Sequence, residues 1–130
     1  MIRQWVYFPA WDWTMVACFD VASDDAGAVL RLLKTAGCSY EVFLRAEQNL
    51  LREGLNTGLT YSNTDKRVSI MVVKEASDPA QFWNTLDHEK GHVATHIGTA
   101  LGVECRGEEQ EYIAGEIAQE LYPVARKYIH

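Results

Sequence analysis

Three cysteines, Cys18, Cys38 and Cys105, are an odd number, and no two of them stand in C-x-x-C spacing. Neither a disulfide framework nor a cysteine-based zinc knuckle is indicated, and a reducing, cytoplasmic setting is expected. Basic residues are also scarce, with 12 Lys and Arg against 18 Asp and Glu, a net charge of −6, and no Lys/Arg cluster. No basic patch is there to neutralise a phosphate backbone, so no nucleic-acid partner is expected. No hydrophobic run approaches the roughly 20 residues that a membrane-spanning helix needs, so no membrane partner is expected. The opening Met1 to Ala10 carries one positive charge and a proline-broken aromatic stretch where a leader would have an apolar segment.

What remains is ordinary globular composition: 48% hydrophobic and 23% charged residues over a length of 130. That suits one domain with a core of its own. Trp13 to Val21 is rich in aromatic and β-branched residues and reads as a first strand. Ser23 or Asp24 caps a helix running to about Ala36, stopped by Gly37, and a second helix spans about Tyr40 to Glu53. Gly58 to Ser62 and Arg67 to Val73 flank the polar Asn63-Thr-Asp-Lys66, which predicts a hairpin. Ser77-Asp78-Pro79 opens a third helix to about Leu101, and a fourth runs from about Glu108 to Lys127, bent or interrupted at Pro123. The expectation is an α+β domain over 1–130. Residues 1–57 would supply a strand and two helices, and 58–130 the hairpin and the last two helices.

One five-residue word specifies chemistry. His88-Glu89-Lys90-Gly91-His92 reads H-E-x-x-H. Residues four apart on a helix share a face, so His88 and His92 can aim at a single Zn²⁺. Glu89, about 100° round the helix, is placed to take a proton from a metal-acidified water. On a helical wheel Phe82, Trp83, Leu86, Val93, Ile97, Ala100 and Leu101 gather on an apolar face, with the histidines opposite, over a cleft or towards another element. Gly91 weakens the helix by roughly 1 kcal/mol relative to Ala, which suggests close approach to the backbone.

A catalytic zinc needs a third protein ligand. The pattern H-E-x-x-H-x-x-G-x-x-H fails at Thr95 and Gly98, so this is not a metzincin. His96 continues the four-residue row but lies about 12 Å from His88 along a straight helix, which suits a supporting or surface role better than ligation. On the fourth helix, Glu109, Glu116 and Glu120 fall on one edge of the apolar stripe Ile113, Ile117, Leu121 and Val124. Glu109 is the first choice for third ligand, followed by Glu116, Glu108 and Glu111. Acidic residues at a helix start also favour the macrodipole without any metal.

These residues resemble the gluzincin branch of zincin-fold metallopeptidases, with H-E-x-x-H plus a later Glu, in a very small version. The similarity covers roughly residues 58–122 and looks closest to compact phage-associated and regulatory zincins, whose next helix carries an E-x-E-A-like word, here Glu109-Gln110-Glu111-Tyr112. The resemblance implies a minimal zincin-like fold, a short antiparallel sheet packed on the metal helix and on a helix carrying the Glu ligand. It implies zinc held by His88, His92 and Glu109, Glu89 as base, and an extended substrate added to Val68, Ser69, Ile70, Met71, Val72 and Val73 as an edge strand. Where many gluzincins orient a histidine with an acid or amide, this chain has Ile113, and Glu116 could serve instead. Tyr112 is the nearest candidate for an oxyanion stabiliser.

The function expected is therefore a zinc metallopeptidase acting on a peptide or protein substrate, with either a narrow partner or self-association to supply specificity. The alternative is a non-catalytic zincin-fold binding or regulatory domain, with the aromatic start (Trp5, Tyr7, Phe8, Trp11, Trp13) as a partner surface. A less favoured alternative is a deformylase-like amidohydrolase, whose cysteine ligand would be Cys38 in Gly37-Cys38-Ser39. Two imidazoles and a carboxylate would also accept first-row ions other than zinc.

Overall fold

A computed structural model describes all residues 1–130. Strands β1 (Ile2–Phe8) and β2 (Trp13–Val21) form a hairpin closed by Pro9 to Asp12, with Asp12 at φ 49° accepting a hydrogen bond from the Tyr7 hydroxyl. A short 3-10 turn at Ser23–Asp25 leads into α1 (Ala26–Thr35) and α2 (Tyr40–Leu51). Then come β3 (Gly58–Asn63), β4 (Val68–Lys74), α3 (Pro79–Leu101) and α4 (Glu108–Ile129). No helix is long and apolar enough to cross a membrane.

The sheet is four-stranded and mixed, in the order β1-β2-β4-β3. β2 and β4 pair in parallel, and β1 and β3 flank them antiparallel. The α+β class holds, but the sheet is not the short antiparallel one expected. β1 escapes the sequence reading because its aromatics fall on both faces: Phe8 is buried while Trp5 and Tyr7 are exposed, which hides the two-residue period.

Both faces of the central pair are covered, so its strands read as continuous apolar runs. Trp13, Met15, Ala17 and Phe19 of β2, with Met71 and Val73 of β4, meet α3 and α4. Val16, Cys18 and Val21, with Ile70 and Val72, meet α1 and α2. The parity of β2 changes at Asp20, whose φ of 57° marks an irregularity between Cys18 and Val21. Burial pushes the Cys18 thiol up to about 11. Lys74, only 4% exposed, donates to the carbonyls of Asn49 and Arg52 at the C-terminus of α2, where a cation suits the helix dipole.

The helix bearing the H-E-x-x-H word begins as its sequence dictates. The Asp78 carboxylate accepts from the Gln81 N–H at 2.8 Å, Pro79 fills the first turn, and Gly102 ends the helix at φ 75°. Phe82, Leu86, Val93 and Ile97 form its centre line against the sheet, while Trp83 and Leu101 stay exposed at its margins. α4 packs on one flank of α3, so closely that a Cβ at Gly98 would collide with the Gln110 side chain. Helix α4 continues through Pro123 to Ile129 rather than stopping there.

Candidate metal and hydrolase site

The other flank of α3 faces β3, the edge strand of the sheet, and there the chemistry-bearing residues lie. His88 and His92 are both exposed, with their Nε2 atoms 3.1 Å apart. Two nitrogens bound at about 2.05 Å and a tetrahedral angle to one zinc ion would stand about 3.3 Å apart. The helical spacing therefore delivers two imidazoles already at the separation of a shared divalent cation.

Glu89 is not beside these rings on an open face. It is 6% exposed, packed against β3, with Oε1 accepting from the Thr60 hydroxyl at 2.8 Å. The wheel treats the position as polar and peripheral; in the fold it falls between Leu86 and Val93 on the buried line. Gly58 makes this seat. A Cβ there would collide with the Val72 carbonyl oxygen and come within 2.9 Å of Glu89 Cγ. The requirement for glycine at 58 was invisible in the sequence, because it depends on a contact 31 residues away in the chain.

A cleft of about 390 Å³ opens over this seat, lined by Asn49, Asn56, Thr57, Gly58, Asn84, Thr85, His88 and Glu89. None of the lining residues is hydrophobic. Its far wall is pinned: Asn56, at φ 68°, accepts from the Ser77 N–H through its side chain and from the Thr85 hydroxyl through its carbonyl. Gly91 borders open space, with no protein atom close to where a Cβ would stand.

His96 lies further along the same flank. Its Nδ1 is 2.7 Å from Ser62 Oγ, which is 2.7 Å from Ser69 Oγ, which accepts from the Trp13 indole at 2.9 Å. Burial, and secondarily the neighbouring His92, lower its pKa.

The α4 residues do not join this group. No cluster of three or more His, Cys, Asp or Glu side chains able to hold a metal forms anywhere in the fold. Glu108, Glu109, Glu111 and Glu116 are all exposed, and Tyr112, 70% exposed, donates to Glu108 rather than facing the cleft. The reason is the layer order. α4 meets α3 on the Gly98 flank, while the histidines occupy the β3 flank. The edge carrying Glu109, Glu116 and Glu120 is exposed, and the Glu120 backbone carbonyl accepts from Gln4 of β1.

Two other expectations are corrected. Val68 to Val73 cannot accept an added strand, because β4 is paired on both sides, to β2 and to β3. The free edge on this side belongs to β3. Cys38 packs with the α1 and α2 core on the opposite face of the sheet, so no deformylase-like cysteine reaches the histidines. Of the aromatic start, Phe8 and Trp13 are core, Trp11 is partly buried against it, and Trp5 and Tyr7 are exposed. Comparison with family models, curated proteins and solved structures yields no match to the chain.

Proposed function

We propose that this protein is a metal-dependent hydrolase of peptide bonds centred on His88, His92 and Glu89. The observation that carries the reading is the 3.1 Å separation of the two Nε2 atoms beside a polar cleft that Glu89 also lines. His88 and His92 would supply two of the three protein ligands that a catalytic zinc takes, and α4 brings no third in this conformation. A metal bound there would polarise the scissile carbonyl and acidify water. Glu89, fixed through Oε1 by Thr60, keeps Oε2 free of any protein donor and is the group able to take that proton and return it to the leaving amine.

The substrate edge of this reading is β3 in place of β4. The Lys74 N–H donates to the Thr57 carbonyl. By alternation, the backbone groups of Leu59 and Tyr61 then face β4, while those of Gly58, Thr60 and Ser62 face the open edge. An extended peptide added there would run alongside the cleft, held by main-chain hydrogen bonds.

The test is metal affinity and hydrolysis of mixed peptide substrates by wild type, His92→Ala and Glu89→Gln. The reading requires zinc binding in wild type, its loss by a factor of about 100 or more in His92→Ala, and retained zinc with lost hydrolysis in Glu89→Gln. Zinc binding without hydrolysis in the wild type would favour the second reading, a non-catalytic metal-binding domain. The missing third ligand supports that alternative. No zinc binding would sink both.

A further inference from the structure

Donor and acceptor capacity, with burial, sets the direction of the hydrogen bonds at the buried end of the chain behind His96. The Trp13 indole N–H can only donate, so Ser69 Oγ must accept from it. Ser69 is fully buried and its sole other polar neighbour is the Ser62 hydroxyl, so its own proton is directed there. A buried hydroxyl proton with no acceptor would cost about 1–3 kcal/mol. Ser62 then has its own proton to place, and the one protein acceptor within its reach is His96 Nδ1, at 2.7 Å.

An imidazole that accepts at Nδ1 carries its proton on Nε2 when neutral. This is the reverse of the arrangement behind a metal-binding histidine, whose second nitrogen donates to a carboxylate or carbonyl and so frees the first to ligate. We propose that the Trp13–Ser69–Ser62 chain locks His96 as the neutral Nε2–H tautomer, making it a hydrogen-bond donor to a peptide carbonyl at the β3 edge and not a third metal ligand. The donor role rests on the hydrolase reading above; the tautomer does not.

The placement suits that role. Ser62 belongs to the strand whose open edge would hold the peptide, and His96 is one turn beyond His92, with ring centroids 6.4 Å apart. Nε2, across the ring from the Ser62 bond, has no protein partner.

Nitrogen-15 NMR of the histidine rings in metal-free protein at pH 8 tests the lock. The expected result is an unprotonated Nδ1 and protonated Nε2 at His96, a shift towards mixed tautomers in Ser62→Ala and in Ser69→Ala, and restoration in Ser62→Thr. A proton on His96 Nδ1 in the wild type would overturn it. Adding one equivalent of Zn²⁺ should perturb the ligating nitrogens of His88 and His92 and leave the His96 Nε2 proton in place; loss of that proton would make His96 a ligand after all. Failure of zinc to bind at all would remove the hydrolase reading and, with it, the donor role, while the tautomer measurement still decides the lock. Acetyl-trialanine methylamide, added to the zinc-loaded protein, should move the Nε2 proton downfield, and no movement up to tens of millimolar would overturn the donor role.

Discussion

The two flanks of α3 are built on opposite principles. Towards α4 the contact is mainly apolar, drawing on Ala94 of α3 and Ile113, Ile117, Leu121 and Ala125 of α4, with Gly98 letting the helices close. Towards β3 the contacts are single hydrogen bonds: Thr60 to Glu89, Ser62 to His96. Burial is non-directional and tolerates sliding, whereas a hydrogen bond fixes an atom. One side therefore anchors the helix and the other aims two of its side chains.

Breaking the anchoring flank should have the larger thermodynamic effect. Leu121→Ala is expected to lower unfolding free energy by about 2–5 kcal/mol, measured by urea denaturation, with zinc affinity per folded molecule unchanged. A matching fall in intrinsic zinc affinity would show that the flanks are coupled. Gly58→Ala attacks the aiming flank instead. It should cost about 1–3 kcal/mol of stability through overpacking and displace Glu89, so that hydrolysis falls by more than the loss of folded protein explains while zinc remains bound. Equal losses of folding and activity would deny Gly58 its role in seating the carboxylate.

Acid sharpens the comparison with a smaller effect. Because the folded His96 has a pKa below the ordinary 6.5, the unfolded chain binds its proton at higher pH than the folded one does. Its contribution to stability is therefore intact above pH 6.5 and declines as the pH falls from there towards the folded pKa. In metal-free protein the urea midpoint should fall over that window, and His96→Gln should flatten the decline. An unchanged slope would assign it to other groups. Smallest of all should be Glu109→Gln, for which calorimetry with Zn²⁺ is expected to return the wild-type affinity. A tenfold loss would mean that α4 reaches the histidines in a conformation different from this one.

How much of this was written in the residues depends on the range over which each feature is decided. The third helix was legible almost to the residue, because Asp78, Pro79 and Gly102 act within one turn of its ends. The hairpin of β3 and β4 was legible too: Asn63 Oδ1 accepts from the N–H groups of Asp65 and Lys66 and shapes the turn by itself. The pairing of His88 with His92 needed only helical spacing. Sheet order was not available in this way, since β2 lies against β4 across both intervening helices. That pairing made Val68 to Val73 a central strand. The flank on which α4 would settle was equally non-local, and an edge of three glutamates looks the same on a wheel whichever neighbour it faces.

The parallel pairing of β2 with β4 also has a consequence in time. Thr14 is matched to Val68 and Cys18 to Val72, so the β1–β2 hairpin can form early yet must wait for more than 40 further residues before its central strand gains a second neighbour. Contacts of such long sequence separation slow folding, because loop-closure entropy is lost before they are made. Until β4 docks, the run Met15 to Phe19 exposes apolar side chains on both faces, the condition under which chains associate wrongly. The seat of Glu89 needs Gly58 beside the Val72 carbonyl, a contact made inside the local β3–β4 hairpin and so independent of that long-range pairing. α3 follows both strands in the chain, so Glu89 and the two histidines reach a seat whose strands have already been made.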